Sequence, residues 1–281
     1  MTEGSQSISE ETFVKQNPHL TKRPYYHNGV WWSQVYPGYS RPAFKYRTLA
    51  PNTARPMFAR SWLGHSHFVP EEGIANAHAQ YMVIENDDLR SFCLEQLSSK
   101  KRNQVRKGLK CCDVKRITDI ETCIEETQDI CISHSTRGSV TREKYHVSEA
   151  FFTEQADTWK AQMRRDFNSD GRIWMGAWQG NRLVAYVVTL QVENTMIIEK
   201  AKSHTDFLQF CPSDALYFRV LEAAATNETC TRIFNSRPQR PGIDRFKKQF
   251  LFSPTLIPMY ISNVFLYDAG KCLVRFLRGR H

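Results

Sequence analysis

Three runs of β-branched and aromatic residues within 172–221 constrain this chain more than any other feature. Arg172-Ile-Trp-Met-Gly-Ala-Trp is followed by Arg182-Leu-Val-Ala-Tyr-Val-Val-Thr-Leu and then by Thr195-Met-Ile-Ile-Glu-Lys-Ala. Gln179-Gly180-Asn181 and Glu193-Asn194 separate the runs, and turns this short join antiparallel neighbours. An antiparallel meander is therefore expected. Pro212-Ser213-Asp214 then opens a helix, with Ser213 as the expected cap and Asp214 favoured at its positive end. A strand that ends beside a helix N-terminus makes a place for a phosphate or a carboxylate. The same stretch is thus the first candidate for function.

What binds there depends on the rest of the chain. Its 281 residues are 41% hydrophobic and 24% charged, a globular composition with room for one large domain or two small ones. The formal net charge of +9 favours an anionic partner: a phosphorylated cofactor, RNA, an anionic membrane surface or a small anionic substrate. The eight cysteines form no Cys-x-x-Cys, and the chain does not begin with a charged-then-apolar signal pattern. Reduced thiols in a cytoplasm are expected. No run approaches the ~20 apolar residues of a membrane-spanning helix.

Residues 1–16 are polar and lack apolar periodicity, so they read as a loose tail. Residues 17–70 hold eleven aromatics, including Trp31-Trp32, and prolines at seven positions, which favours short strands and ordered loops. The aromatic–basic interleaving from Tyr36 to Arg47 suits a packed β layer with cationic edges, or stacking on single-stranded nucleic acid. Gln80–Glu85 reads as a strand, and a helix starts near Asp87-Asp88. A second start at Ser98-Ser99 leads into a basic helix. Residues 98–116 carry eight basic side chains against one acid, and Arg102, Arg106 and Lys110 share one helical face. Like charges so spaced repel by a few tenths of a kcal/mol (about 0.3) per pair, which anion contacts would justify. Cys112–Ile117 reads as a strand, and 119–132 and 143–165 as helices. The loop from His134 to Ser139, with Arg137, is placed to contact a substrate. A strand at Thr231–Asn235, a loop, a short helix with Asp244 in its first turn and an amphipathic helix over 262–278 complete the chain. That basic last helix suits packing on its own domain or contact with an anionic membrane surface.

Three segments in this order resemble one known family. Leu97-Ser-Ser-Lys-Lys-Arg-Asn-Gln-Val-Arg-Lys-Gly-Leu resembles the basic helix that opens the Fem-type branch of the GNAT acyltransferases. Trp178-Gln-Gly-Asn-Arg-Leu-Val-Ala-Tyr-Val-Val resembles its central hairpin. Pro212-Ser-Asp-Ala-Leu, with Gly242-Ile-Asp-Arg-Phe-Lys-Lys-Gln-Phe, resembles its helix start and terminal Phe-Lys motif. The BioF2-like acetyltransferases are part of the same branch. The resemblance implies an α/β (α+β) fold, with a GNAT-like mixed, mainly antiparallel twisted sheet flanked by helices. The expected layout is an N-terminal extension over 1–79, a GNAT-like domain over 80–260 and a C-terminal basic helix over 261–281.

Transfer of an acyl or aminoacyl group to an amine is the implied reaction. The implied donor cleft lies between two parallel strands that part, here lined by Ile197 and Ala201, with Ser213, Asp214 and Ala215 at the helix N-terminus. Acyl-CoA, acetyl-CoA above all, is the expected donor. The approach from Ser203 to Pro212 lacks the glycines of the most familiar GNAT phosphate loop. Fem-type members lack that loop too, and several take their aminoacyl group from aminoacyl-tRNA, which is the alternative donor here. A GNAT-like module that binds RNA or membrane without catalysis is a third reading. By match, Lys247 after Phe246 steadies the developing oxyanion, and Leu251 stands where relatives often have glycine. A neutral amine nucleophile calls for a base, and His204 and Glu199 flank the end of the third meander strand. Arg102, Arg106, Arg137 and Phe246 are the expected substrate contacts. His65-x-His67 has ligand spacing on one strand face but lacks a third ligand, so no metal is expected. The acceptor amine and the oligomeric state are not legible.

Overall fold

The computed structural model describes residues 7–50, 55–70, 72–137 and 147–263. The amphipathic helix expected over 262–278 falls mostly outside them. The chain divides into two compact units, one of residues 82–253 and one of residues 8–81 and 254–263.

The smaller unit begins with helix α1 (Glu10–Gln16). The expected loose tail is corrected here: Ser9 Oγ caps the helix by accepting from Thr12 N at 3.1 Å, and Phe13 and Val14 are buried. One cap and two adjacent apolar side chains suffice, without any longer periodicity. Strands β1 (Tyr25–His27), β2 (Val30–Tyr36) and β3 (Tyr39–Pro42) form an antiparallel meander. Short helix α2 (Phe58–Ser61) and strand β4 (Gly64–Phe68) follow, and β4 pairs parallel to β3. Short strands over 17–70 are therefore observed as expected.

In the larger unit, strand β5 (Ala77–Glu85) contributes its residues from Met82 onward. Helix α3 (Asn86–Arg90), the basic helix α4 (Ser99–Cys111) and strand β6 (Asp113–Arg116) come next. Ser98 caps α4, as its sequence predicts. Helix α5 (Ile124–Ser135) starts five residues later than expected and absorbs His134 and Ser135. Of the single helix expected over 143–165, residues 143–146 lie outside the described residues and the rest is two helices, α6 (Glu149–Glu154) and α7 (Ala156–Phe167), broken at Gln155. The meander follows as β7 (Arg172–Gln179), β8 (Arg182–Val192) and β9 (Thr195–Ser203). Gly180 and Glu193 take positive φ at its two turns. Helix α8 (Pro212–Thr226), strand β10 (Arg232–Phe234) and helix α9 (Pro241–Lys248) end the unit. Strand β11 (Ser253–Ile261), which carries no sequence signal, pairs antiparallel with β4 in the smaller unit.

The larger unit's sheet runs β5-β10-β9-β8-β7-β6, antiparallel throughout except for β9 and β10. Strand side chains alternate between its faces. Ala185, Val187, Met196 and Ile198 pack with Leu216, Leu221 and Val105 from α8 and α4. Trp174, Tyr186 and Val188 pack with Ile130, Cys131, Trp159 and Met163 from α5 and α7. With both faces covered, β8 is buried at every residue after Arg182. The fold is thus mixed α/β, with a mainly antiparallel sheet between helices.

Candidate functional site

β9 and β10 run side by side for only three residues, Thr195–Ile197 against Arg232–Phe234. Beyond Ile197, β9 continues to Ser203 along β8. β10 stops at Phe234 and its chain leans toward β5. Asn235 N donates to Met82 O (2.9 Å), and Met82 N donates to Ser236 O (3.0 Å). The two strands therefore part. Ile198–Ser203 lies on one side of the opening and Asn235-Ser236 on the other. Ile197 holds the last paired position and Ala201 the exposed, diverging part of β9.

Lys247 comes to the β10 side from α9. Its Nζ donates to Ser236 Oγ at 2.6 Å, and Ser236 Oγ donates to Arg237 O at 2.8 Å. Ser236 takes φ +57°, which turns its backbone sharply just after the strand. Burial pushes the Lys247 ammonium down to about 8, against the opposing pull of Asp244. Asp244 itself fixes the entry to α9, with both carboxylate oxygens accepting from Gln239 N. Asn235 Nδ2 reaches Tyr217 OH of α8 at 3.3 Å, so α8, β10 and α9 are joined at the end of β10. The Phe246 ring is edge-on to Tyr217, with centroids 4.9 Å apart. After α9, Leu251 takes φ +65°. Glycine adopts that left-handed conformation at no steric cost.

Arg137 reaches the end of β9 from the segment after α5. Its Nη2 donates to Ser203 O at 2.9 Å and touches Thr205 Oγ1 at 3.4 Å. Burial lowers its guanidinium from the ordinary value, and the charge of Arg240 adds to the shift. Two guanidiniums thus share this end of the unit, near the N-terminus of the helix that carries Lys247. Such a field suits a ligand with phosphate groups.

The N-terminus of α8 is built differently from the expectation. Ser213 is its second residue and not its cap. The cap position is Cys211, in the left-handed region at φ +56°. Pro212 brings no N–H, and the amides of Asp214 and Ala215 both point to Cys211 O (3.1 and 3.3 Å). Asp214 is buried and accepts from Lys101 Nζ of α4 at 2.5 Å. The Lys101 ammonium also lies 4.6 Å from the Phe246 ring centroid and 5.0 Å from that of Phe250. α4 approaches so closely that a Cβ on Gly108 would stand 2.5 Å from Cys211 O. Ala215 is fully buried in this crossing. The first turn of α8 is therefore filled by its own carboxylate and by α4.

The other expected residues are placed as follows. Arg102 donates to Glu95 O and to Ser99 Oγ on the outer side of α4, and Arg106 is exposed. The inward member of the basic run is Lys101, one residue away. Glu199 accepts from Arg172 through both carboxylate oxygens, at 2.7 and 3.1 Å. His204 is buried, and its Nδ1 accepts from Asp206 N at 3.3 Å, which caps the turn after β9. Its Nε2 lies 3.4 Å from Asp129 Oδ2, an oxygen that also accepts from Arg182. An imidazole with Nδ1 accepting and Nε2–H facing a carboxylate keeps no lone pair for a substrate. The site thus gathers Lys247, Arg137 and the diverging β9, with Ser236, Asn235 and Lys101 added to the residues expected. Their sequence signal was faint: a buried lysine at helical spacing from Val105 and Gly108, and polar residues directly after a strand.

No family model and no curated protein matches the chain. Solved structures do. L-PGS from Bacillus licheniformis aligns over 100% of this chain and 99% of its own, with a TM-score of 0.57 and 12% identity. The fold is also that of FemX. FemX aligns over 92% of each chain with a TM-score of 0.54 and 10% identity. The C-terminal domain (DUF2156) of a protein assigned as a lysylphosphatidylglycerol synthetase from Agrobacterium fabrum covers 91% of this chain and 87% of its own. Its TM-score is 0.56 and its identity 8%. The Fem-type fold implied by the sequence segments is therefore present.

Proposed function

We propose that this Fem-fold protein is an acyltransferase that moves an acyl or aminoacyl group from an activated ester or thioester to an amine. The observation that carries the proposal is the buried Lys247 ammonium at the point where β9 and β10 part. Attack of an amine on a carbonyl builds negative charge on its oxygen. A fixed, desolvated ammonium stabilises that charge far better than solvated lysine would. At about 8, Lys247 is still mainly protonated at neutral pH. Ser236 orients it.

For the donor, the first turn of α8 favours aminoacyl-tRNA over acyl-CoA. A pyrophosphate laid on that helix would meet the buried Asp214 carboxylate, with the amides of Asp214 and Ala215 already turned to Cys211 O. Arg137, held at the end of β9 by its bond to Ser203 O, offers a cationic contact there instead. The lysylphosphatidylglycerol synthetase and FemX likenesses support transfer chemistry on this fold at the coarse level. Assays with charged tRNA and with acetyl-CoA separate the donors. Transfer from charged tRNA, with binding that weakens steeply as salt rises, is expected. A rise in melting temperature with CoA, followed by turnover of acetyl-CoA, would reverse the donor assignment. Full turnover of every donor by Lys247→Ala would remove the lysine from the mechanism.

A further inference from the structure

An apolar tip rimmed by arginines stands out in the smaller unit. On the single turn of α2, Phe58 is 80% exposed, and Trp62, just after that turn, is 57% exposed. Met57 before them is 41% exposed. Arg55 and Arg60, both exposed, flank the three. From residue 12 to residue 70 the chain has eight Lys and Arg and neither Asp nor Glu. The acids just before this stretch, Glu10 and Glu11, are bonded to Arg47 and Lys15.

The display is held from beneath. Arg60 O accepts from Gln34 Nε2 (3.0 Å) and from Ser40 Oγ (3.2 Å). Ser61, buried, donates its hydroxyl to Met57 O, and Leu63 N donates to Gly38 O. Trp62 lies so near Gly38 that a Cβ there would stand 2.7 Å from its ring. Strands β2 and β3 thus fix a turn whose large apolar side chains face water. Exposed apolar clusters of this kind mark interaction sites.

We propose that α2 is a docking element for an anionic lipid bilayer. Phe58, Met57 and Trp62 would enter the interfacial region, and Arg55 and Arg60 would meet the headgroups. Two observations favour lipid over RNA. The exposed side chains sit on and beside one short helical turn, which offers no extended row of rings to track a backbone, and they mix a flexible thioether with the rings. Single-stranded nucleic acid is held instead by ring platforms along a basic channel. The proposal is independent of the transfer chemistry, which belongs to the other unit.

The test is cosedimentation of the full chain with phosphatidylcholine vesicles, with and without about 30% phosphatidylglycerol. Binding only to the anionic vesicles is expected, weakening at least about tenfold at high salt. Phe58→Ser with Met57→Ser, at side chains facing water, should keep the melting temperature and weaken binding about fivefold or more. Arg55→Glu should weaken it as well. Absence of binding to anionic vesicles would overturn the proposal, and so would binding unchanged by the double substitution. It would equally be overturned if that substitution abolished binding to a single-stranded RNA and left vesicle binding intact.

Discussion

The Lys247 ammonium donates to the Ser236 hydroxyl at 2.6 Å, with only 3% of the lysine exposed. A charge so placed is costly to the fold. Folding lowers its pKa from 10.5 to about 8, so the unfolded chain binds the proton more tightly. The native state is penalised at neutral pH, and the penalty fades as pH rises from about 8 toward 10.5. Lys247→Met should therefore stabilise the protein by about 1–3 kcal/mol at pH 7, less at pH 10, in urea unfolding. In the proposed reaction the same variant should lose about 100- to 1,000-fold in kcat. A variant both less stable and fully active would contradict each part.

Lys101 and Asp214 form a buried charge pair in this unit. Removing one partner strands the other charge. Asp214→Ala should cost about 3–5 kcal/mol, while Lys101→Met combined with Asp214→Leu should recover most of the loss. A double-mutant cycle by denaturant titration measures the coupling.

At Gly108, α4 touches the start of α8. Alanine favours a helix interior by about 1 kcal/mol over glycine, so a free helix would gain from Gly108→Ala. Here the added methyl meets Cys211 O at 2.5 Å and Ala215 Cβ at 3.0 Å. A net loss of about 1–3 kcal/mol is expected, and the sign of the change in melting temperature decides the matter.

In the smaller unit, His67 is buried, and among the described residues neither ring nitrogen has a hydrogen-bond partner. Burial lowers it to about 4, and neighbouring His65 adds to the shift. The unfolded chain titrates near 6.5, so stability should be level above that pH and fall as pH drops from 6.5 toward 4. His65 is lowered by burial to about 4 as well, so His67→Phe should make the profile shallower without flattening it, as measured by urea unfolding at stepped pH. An unchanged slope in the variant would show that other groups set it.

Much of the larger unit was legible before folding. The meander over 172–203, the helix after Pro212, β10, and α9 with Asp244 in its first turn all follow from local alternation and turn residues. Lys247 and Arg137 were also named from the sequence. Their neighbourhood was not, since Ser236 and Asn235 acquire their partners from helices far along the chain. β11 escaped notice because its pairing residues meet β4, nearly two hundred positions earlier. α1 escaped because its only signals are one serine and two apolar side chains.

The sequence alone determined the periodic elements and their order, because hydrophobic spacing and turn chemistry act over a few residues. It also determined the acid-free basic stretch of residues 12–70. Only the tertiary structure decided which basic residue of α4 turns inward. Lys101 is selected over Arg102 and Arg106 by the carboxylate of Asp214, 113 positions away. The same packing filled the first turn of α8. Charge pairing and close approach between distant segments leave no trace in local spacing.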